Sequence, residues 1–476
     1  MKRFRLAKVL MAVLVLWSCT DDWKFSADSR YVLGFSADTV YLDTVFTGVA
    51  SASAGFMVYN PNDVGLRFDA VMGGGADSPF RMNLDGEGGA VITGLEIPAG
   101  DSLFCFLSVN IPSTDATELF TVSDSIRFIM ESGTVQFVRL SAYGQNAIRL
   151  QGSRIDSDVT LTARLPYLVF DSLYVAEGAT LTLAAGTRLY FHSGSVLDIA
   201  GRIVAEGSAD SMILMRGDRL DIMQTVPPVP YDLISAQWGG IRIRGGSYRN
   251  VFRYCDIHSA EFGISADSAS SEQTKFSLYS SIVHNMSVNC IETTGCCIDV
   301  ANSQITNAGL SCVDIAGGES DFTFCTIAGF SLWSIGSQAV LLSDSRGGTY
   351  IPFKGACFRN CIITGRNASE FVTSFSDSTR ECDNCRVFNS LVMASDTLDS
   401  RYHEVVFDSQ AETGGSGNFI GRSRDGLRPV FLLDSLSLAR GIADTLSVIW
   451  PVDLAGVPRP LQKADAGCYQ YKSSEK

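Results

Sequence analysis

From about residue 165 onward the chain is a succession of short apolar runs punctuated by glycine. Leu173-Tyr174-Val175 is followed by Gly178, Leu181-Thr182-Leu183 by Gly186, Leu189-Tyr190-Phe191 by Gly194, and Val196-Leu197-Asp198-Ile199 by Gly201. Strands this short cannot form a stable flat sheet alone. Each must be covered by neighbours above and below, as in a solenoid. The middle of the chain shows the period. Cys255-Asp256-Ile257, Ser280-Ser281-Ile282, Ser303-Gln304-Ile305 and Cys325-Thr326-Ile327 repeat one small-x-Ile element, with isoleucines 25, 23 and 22 residues apart. Asn360-Cys361-Ile362 lies 35 further on, which implies an inserted loop. Ile264, Ile291 and Val313 follow at offsets of 7, 9 and 8, and Ile298-Asp299-Val300 supplies a third run. Three strands per turn of 22–25 residues predict a right-handed parallel β-helix over 165–470, closed by a C-terminal cap. Alternation along the strands turns Ile257, Ile282, Ile305 and Ile327 inward as one ladder, with Cys255, Ser280, Ser303 and Cys325 inward beside them as packing residues.

Residues 31–145 follow a different pattern. Phe56, Val58 and Asn60 end one alternating run, Pro61-Asn62-Asp63 turns it, and Leu66, Phe68 and Ala70 share a face of the next. Phe104 and Phe106 share a face, as do Val135 and Phe137. Short strands at this spacing with aperiodic loops predict an immunoglobulin-like β-sandwich. The predicted fold class is therefore mainly β: an N-terminal β-sandwich followed by a parallel β-helix.

The first eighteen residues belong to neither domain. Lys2, Arg3, Arg5 and Lys8 form a basic stretch, and an apolar run from Val9 to Trp17 leads to Ser18-Cys19. The run is about half the length of a bilayer-spanning helix, so it reads as an export signal. A cysteine straight after Leu16-Trp17-Ser18 resembles the lipobox of bacterial lipoproteins. That resemblance implies cleavage before Cys19 and lipid on its sulfur and amino group, with residues 19–30 as a tether. Thr20-Asp21-Asp22 resembles the surface-export signal of Bacteroidetes lipoproteins, which implies the outer face of the outer membrane, with the periplasmic face as the alternative.

Composition narrows the partners. The formal net charge is −14, and residues 1–18 carry four positive charges and no negative one, so the chain behind them is near −18. Such a chain is repelled by nucleic-acid backbones, and its Lys and Arg are scattered singly. No nucleotide fingerprint, phosphate-binding glycine loop, zincin motif or nucleophile elbow is present. Thirteen cysteines lack the spacing of a disulfide scaffold. Cys382-Asp383-Asn384-Cys385 has knuckle spacing but neither a second such pair nor a histidine nearer than His403.

Across nearly its whole length the sequence resembles the surface or secreted β-helix lipoproteins of the Bacteroidetes. The phrases that carry this are Asp38-Thr39-Val40 to Phe46, Val58-Tyr59-Asn60-Pro61-Asn62, Gln237-Trp238-Gly239-Gly240-Ile241, and the closing Asp465-Ala466-Gly467-Cys468-Tyr469, where alanine is the more usual neighbour of the tyrosine. The resemblance implies the two-domain fold and the lipid anchor at Cys19. It implies no catalytic residue.

Candidate chemistry comes from the register. Glu292 and Asp314 each follow an inward residue and fall one turn apart, so they are expected side by side on the outer surface, with Asp299 and Asp321 on the next strand. Adjacent carboxylates suit a shared proton or a cation, and Ca²⁺ is the ion such a pair would take; no other cofactor is expected. No basic partner for the pair is apparent in sequence. Trp238, before two glycines, is a candidate platform for a sugar ring. His258 is expected to point outward and His284 to lie in a turn, each bonded to backbone. The leading expectation is a non-catalytic surface lipoprotein that recognises or adheres to glycans or extracellular matrix through Glu292, Asp314 and Trp238. The alternatives are a polysaccharide lyase or glycoside hydrolase on the same surface, and a structural envelope protein.

Overall fold

The computed structural model describes residues 24–473, apart from residue 224 and the segments 269–272, 331–337, 377–383, 409–413 and 424–425. Cys19, Cys382 and Trp333 therefore lie outside the described residues. The chain divides into two compact units, residues 1–146 and 147–476. Among the described residues there is no α-helix, and no helix long and apolar enough to cross a membrane.

The first unit is a sandwich of two five-stranded sheets. One holds Gly34–Phe35, Ala54–Tyr59, Ser102–Val109, Phe80–Leu84 and Glu87–Gly88; the other holds Thr39–Phe46, Val135–Gln145, Phe120–Met130, Leu66–Met72 and Val91–Ile97. Alternation sends Phe56, Val58, Leu66, Phe68, Cys105, Leu107, Val138 and Leu140 into one core. Phe104, Phe106, Val135 and Phe137 take the opposite, exposed faces. The Asn60-Pro61-Asn62 turn is fixed by buried Asn60, whose amide donates to the carbonyls of Val64, Ile97 and Pro98 at 2.8, 3.0 and 2.9 Å. One side chain thereby ties together carbonyls from two separate stretches of chain.

The second unit is a parallel β-helix of 26 strands, from Ile148–Ile155 to Val406–Phe407, whose strands stack in register on three ladders. Ile264, Ile291, Val313 and Val340 stack on one ladder, and Leu278, Val300, Phe322 and Phe358 on the second. On the third, the stack is Ile257, Val283, Ile305, Ile327 and Ile363. The inward position at the second of these turns differs from expectation by one residue. Val283 rather than Ile282 faces the core, and Ile282 is half-buried on the outer side, level with Asp256 and Gln304. At the fifth turn the inward residue is Ile363, one past the Ile362 of the repeat.

The cause lies in the corner before each strand. Tyr254, Ser280, Asn302, Phe324, Asn360 and Asn389 all have positive φ, between 45° and 55°. The residue after each corner, Cys255, Ser281, Ser303, Cys325, Cys361 or Ser390, is the small inward one. Its hydroxyl or thiol donates to the carbonyl two positions earlier. Ser280 is thus the corner and Ser281 the ladder residue, which shifts everything behind it. A left-handed corner is costly for most side chains, and the short local bond is what the small residue contributes beyond filling space. Cys385 aside, the ten other cysteines that the structure describes are free thiols, eight of them buried.

The C-terminal segment lies along the outer side of the third ladder. Phe419, Phe431, Leu433, Ala439 and Ala466 pack on Ala328, Phe330, Ile362 and Leu391. Tyr469 donates its hydroxyl to Gln304 at 2.9 Å, and the Cys468 amide donates to the Thr326 hydroxyl at 3.1 Å. Buried Arg459 lies over the Phe324 ring at 4.0 Å and donates to Asn302 at 2.6 Å. Gln304 therefore points away from the core yet is covered by this segment.

Candidate functional site

Glu292 and Asp314 are neighbours on consecutive turns, as are Asp299 and Asp321. The first pair has a cation of its own. Arg346, carried in by the hairpin Ser345–Arg346/Thr349–Tyr350, lies 2.8 Å from Asp314 and 3.5 Å from Glu292, and Asn289 donates to both carboxylates at 2.7 and 3.4 Å. The expected absence of a basic partner is thus corrected: the inserted hairpin brings Arg346 onto both carboxylates. Trp238 is corrected as well. It is 1 % exposed, stacks on Phe191 at 4.1 Å and donates its indole N–H to the His258 carbonyl at 3.0 Å, so it closes the helix interior and offers no face to a sugar.

The polar cluster that does form centres on His258 and His284. The one-residue shift at Ser280 places the two histidines on the same rung, and their rings stack at 4.7 Å. His258 points away from the core, as alternation requires, but is only 4 % exposed, and an insertion carrying the turn Tyr231–Leu233 sets Asp232 against it. That insertion leaves the third ladder after Ile213–Gly217 and sets the turn Tyr231–Leu233 above the next two rungs. Its Asp232 carbonyl accepts from the Ser259 hydroxyl at 2.6 Å and from Asn285 at 3.2 Å. Its carboxylate lies 2.8 Å from His258 Nε2, while Asp256 lies 2.9 Å from His258 Nδ1 and 3.4 Å from His284 Nε2. Arg216 and Arg428 each reach Asp232 at 2.8 Å. Neither histidine relies on backbone, which corrects the expectation for both.

The electrostatics follow from this packing. Burial opposes the charge on His258, but Asp256 and Asp232 outweigh it and push the imidazole up to about 9. Burial likewise opposes charge on the two carboxylates, yet both stay well below the usual range. His258 and His284 hold Asp256 down, and His258, Arg216 and Arg428 hold Asp232 down. The cluster therefore keeps its carboxylates ionised and ready to accept hydrogen bonds.

Beside it lies a cavity of about 320 Å³. Its lining combines apolar Val229, Leu233, Phe330 and Phe431 with polar His284, Asn285, Thr306, Asn307, Asp232 and Arg428. Residues from three distant stretches meet here: the helix rungs, the 218–236 insertion and the C-terminal strand Pro429–Leu433. Sequence reasoning missed Asp232, Arg216 and Arg428. The only local signal was the 26-residue spacing of His258 and His284, which equals the length of that turn once Val283 is aligned with Ile257.

Comparison with solved structures yields alignments of low similarity. No family model and no curated protein matches the chain. A family 123 glycoside hydrolase from Clostridium perfringens aligns at 10 % identity and TM-score 0.19 over 25 % of this chain and 30 % of that one. A PapD-like domain of human CEP192 aligns at 8 % identity and TM-score 0.17, over 27 % of this chain and 92 % of that one. The catalytic unit of a GH87 α-1,3-glucanase from Streptomyces thermodiastaticus aligns at 8 % identity and TM-score 0.24, over 76 % of each. At these scores neither activity nor site residues transfer to this chain.

Proposed function

We propose that this chain is an exported, lipid-anchored protein that binds a saccharide in the cavity beside His284. The observation that carries the reading is the composition of that cavity. Amides, a hydroxyl, a carboxylate and an arginine line it together with two phenylalanines, a mixture that matches the hydroxyls and apolar face of a sugar ring. Its volume fits one or two sugar rings. Binding rather than hydrolysis is favoured because Asp232 is the single carboxylate among the described lining residues, and it is held ionised by His258 and two arginines. Glycoside hydrolysis needs two carboxyl groups, one of them protonated. The anchor rests on Cys19 and its flanking residues, and the outer-membrane surface on Asp21-Asp22.

A glycan array probed with the purified mature protein tests the reading. Arg428→Ala is the matched variant, because its side chain is half exposed and its loss leaves the core intact. We expect a defined set of saccharides to bind and the variant to weaken them about tenfold or more, with an unchanged melting temperature. An array without specific binders, or equal binding by the variant, would overturn the pocket. Release of unsaturated sugar ends from a uronate polymer would replace binding by elimination, since His284 and Arg428 line the same cavity as base and charge neutraliser. Cys19→Ala should move the protein from the membrane to the soluble fraction; retention would remove the anchor from the proposal.

A further inference from the structure

Asp256, His258 and His284 each offer a donor atom within 4.8 Å of the other two. We propose that these three residues form a binding site for a divalent first-row transition ion of the Zn²⁺ class. Four observations carry it.

The first is spacing. Ligands held 2.0–2.2 Å from a Zn²⁺ ion at tetrahedral to octahedral angles lie about 2.9–3.4 Å from one another. Asp256 Oδ1 stands 2.9 Å from His258 Nδ1 and 3.4 Å from His284 Nε2. Both carboxylate-to-imidazole separations match the edges of a coordination polyhedron, and the two histidine donors lie within 4.8 Å of each other.

The second is the partner behind the ring. Metal-bound histidines characteristically donate their other N–H to a carboxylate, which fixes the tautomer and raises the basicity of the ligating nitrogen. His258 Nε2 faces Asp232 at 2.8 Å, leaving Nδ1 toward Asp256. Asp232 is itself anchored by Arg216 and Arg428, so it is a rigid acceptor.

The third is scaffold. Asp256 and His258 alternate on one face of the strand Cys255–His258, and His284 sits at the same height on the next turn. Ladder register alone brings the three donors together, so no loop has to close. The fourth is access. His284 lines the cavity, so an ion held here can be reached by water or by a ligand hydroxyl. Two imidazoles and one carboxylate select for transition ions and against Ca²⁺, which prefers an all-oxygen set.

The site shares its cavity with the saccharide reading but does not depend on it, because the ion is titrated with no saccharide present. The purified mature protein is stripped with chelator and titrated with Zn²⁺ and, separately, Co²⁺. One equivalent should bind at micromolar affinity or tighter, and Ca²⁺ should not compete. X-ray absorption of the zinc-loaded wild type should show only nitrogen and oxygen neighbours, with the outer-shell signature of two imidazoles. His284→Ala, at a partly exposed position, should weaken Zn²⁺ about tenfold or more while the melting temperature of the metal-free protein is retained. Asp232→Asn should also weaken it, by about 10–100-fold, although it touches no ion. Sulfur in the first shell would assign the ion to the cysteines, and unchanged affinity in His284→Ala would place it elsewhere. Either result overturns the proposal, as does an absence of saturable uptake.

Discussion

Val283→Ala is the substitution that most directly tests the register from which the site is built. Val283 is fully buried, stacked between Ile257 and Ile305 on the third ladder. Alanine removes two methyl groups from an interior with no solvent contact. At about 0.8 kcal/mol per buried group the transfer loss is about 1.6 kcal/mol. The void left in a stack fixed above and below adds about 1 kcal/mol, for a total of about 2–3 kcal/mol. Ile282→Ala removes more atoms, but from a half-buried outer position level with Asp256 and Gln304. It should cost under about 1 kcal/mol. Urea unfolding of the two variants gives the difference, and hydrogen exchange gives its location. In a solenoid each turn is supported by its neighbours, so Val283→Ala should lower protection in Cys255–His258 and Gln304–Ala308 as well as in Ile282–Met286. The stacked histidines should loosen with them. An Ile282→Ala variant that loses as much stability as Val283→Ala, or more, would refute the register and remove the His258–His284 rung with it.

Two further expectations concern charge. Glu370 is fully buried and accepts from the Ala339 and Asn367 amides, each at 2.7 Å, yet burial raises its carboxyl from 4.5 to about 7. The folded chain therefore holds this proton more tightly than the unfolded one. The contribution of Glu370 to stability should be full below about pH 4.5 and fall by up to about 3 kcal/mol as pH rises to 7; Glu370→Gln should remove that component of the pH dependence, and an unaltered pH profile would refute the assignment. Arg346→Ala should cost about 1–3 kcal/mol, because it leaves Glu292 and Asp314 adjacent without their cation. Ca²⁺ should then raise the melting temperature of the variant and not of the wild type; an equal shift in both would show that Arg346 does not fill the place of an ion.

The parallel β-helix was legible because its grammar is local. Period and alternation are written in Ile257, Ile305, Ile327, Ile264, Ile291 and Val313, and a strand's faces follow from its own residues. The adjacency of Glu292 and Asp314 was legible for the same reason. The slip at Ser280-Ser281-Ile282-Val283 shows the limit. Two small residues and two β-branched residues in succession satisfy the pattern in either of two registers, and only the left-handed corner at Ser280 selects one. That single residue also hid the site, because the rejected register sets His284 one position past His258.

What the sequence determined by itself is therefore the architecture: short strands that can be buried only by stacking, and the positions that face in or out along each. What only the tertiary structure decided is what covers the outward positions. Trp238 was lost to the core, Arg346 was delivered to Glu292 and Asp314 by a hairpin, and Asp232 and Arg428 were laid over His258 by an insertion and a C-terminal strand about 200 residues apart in the chain. Periodicity constrains neighbours within a ladder, whereas insertions and tails carry no period. Their landing places are fixed by shape and charge that exist only after the helix has formed.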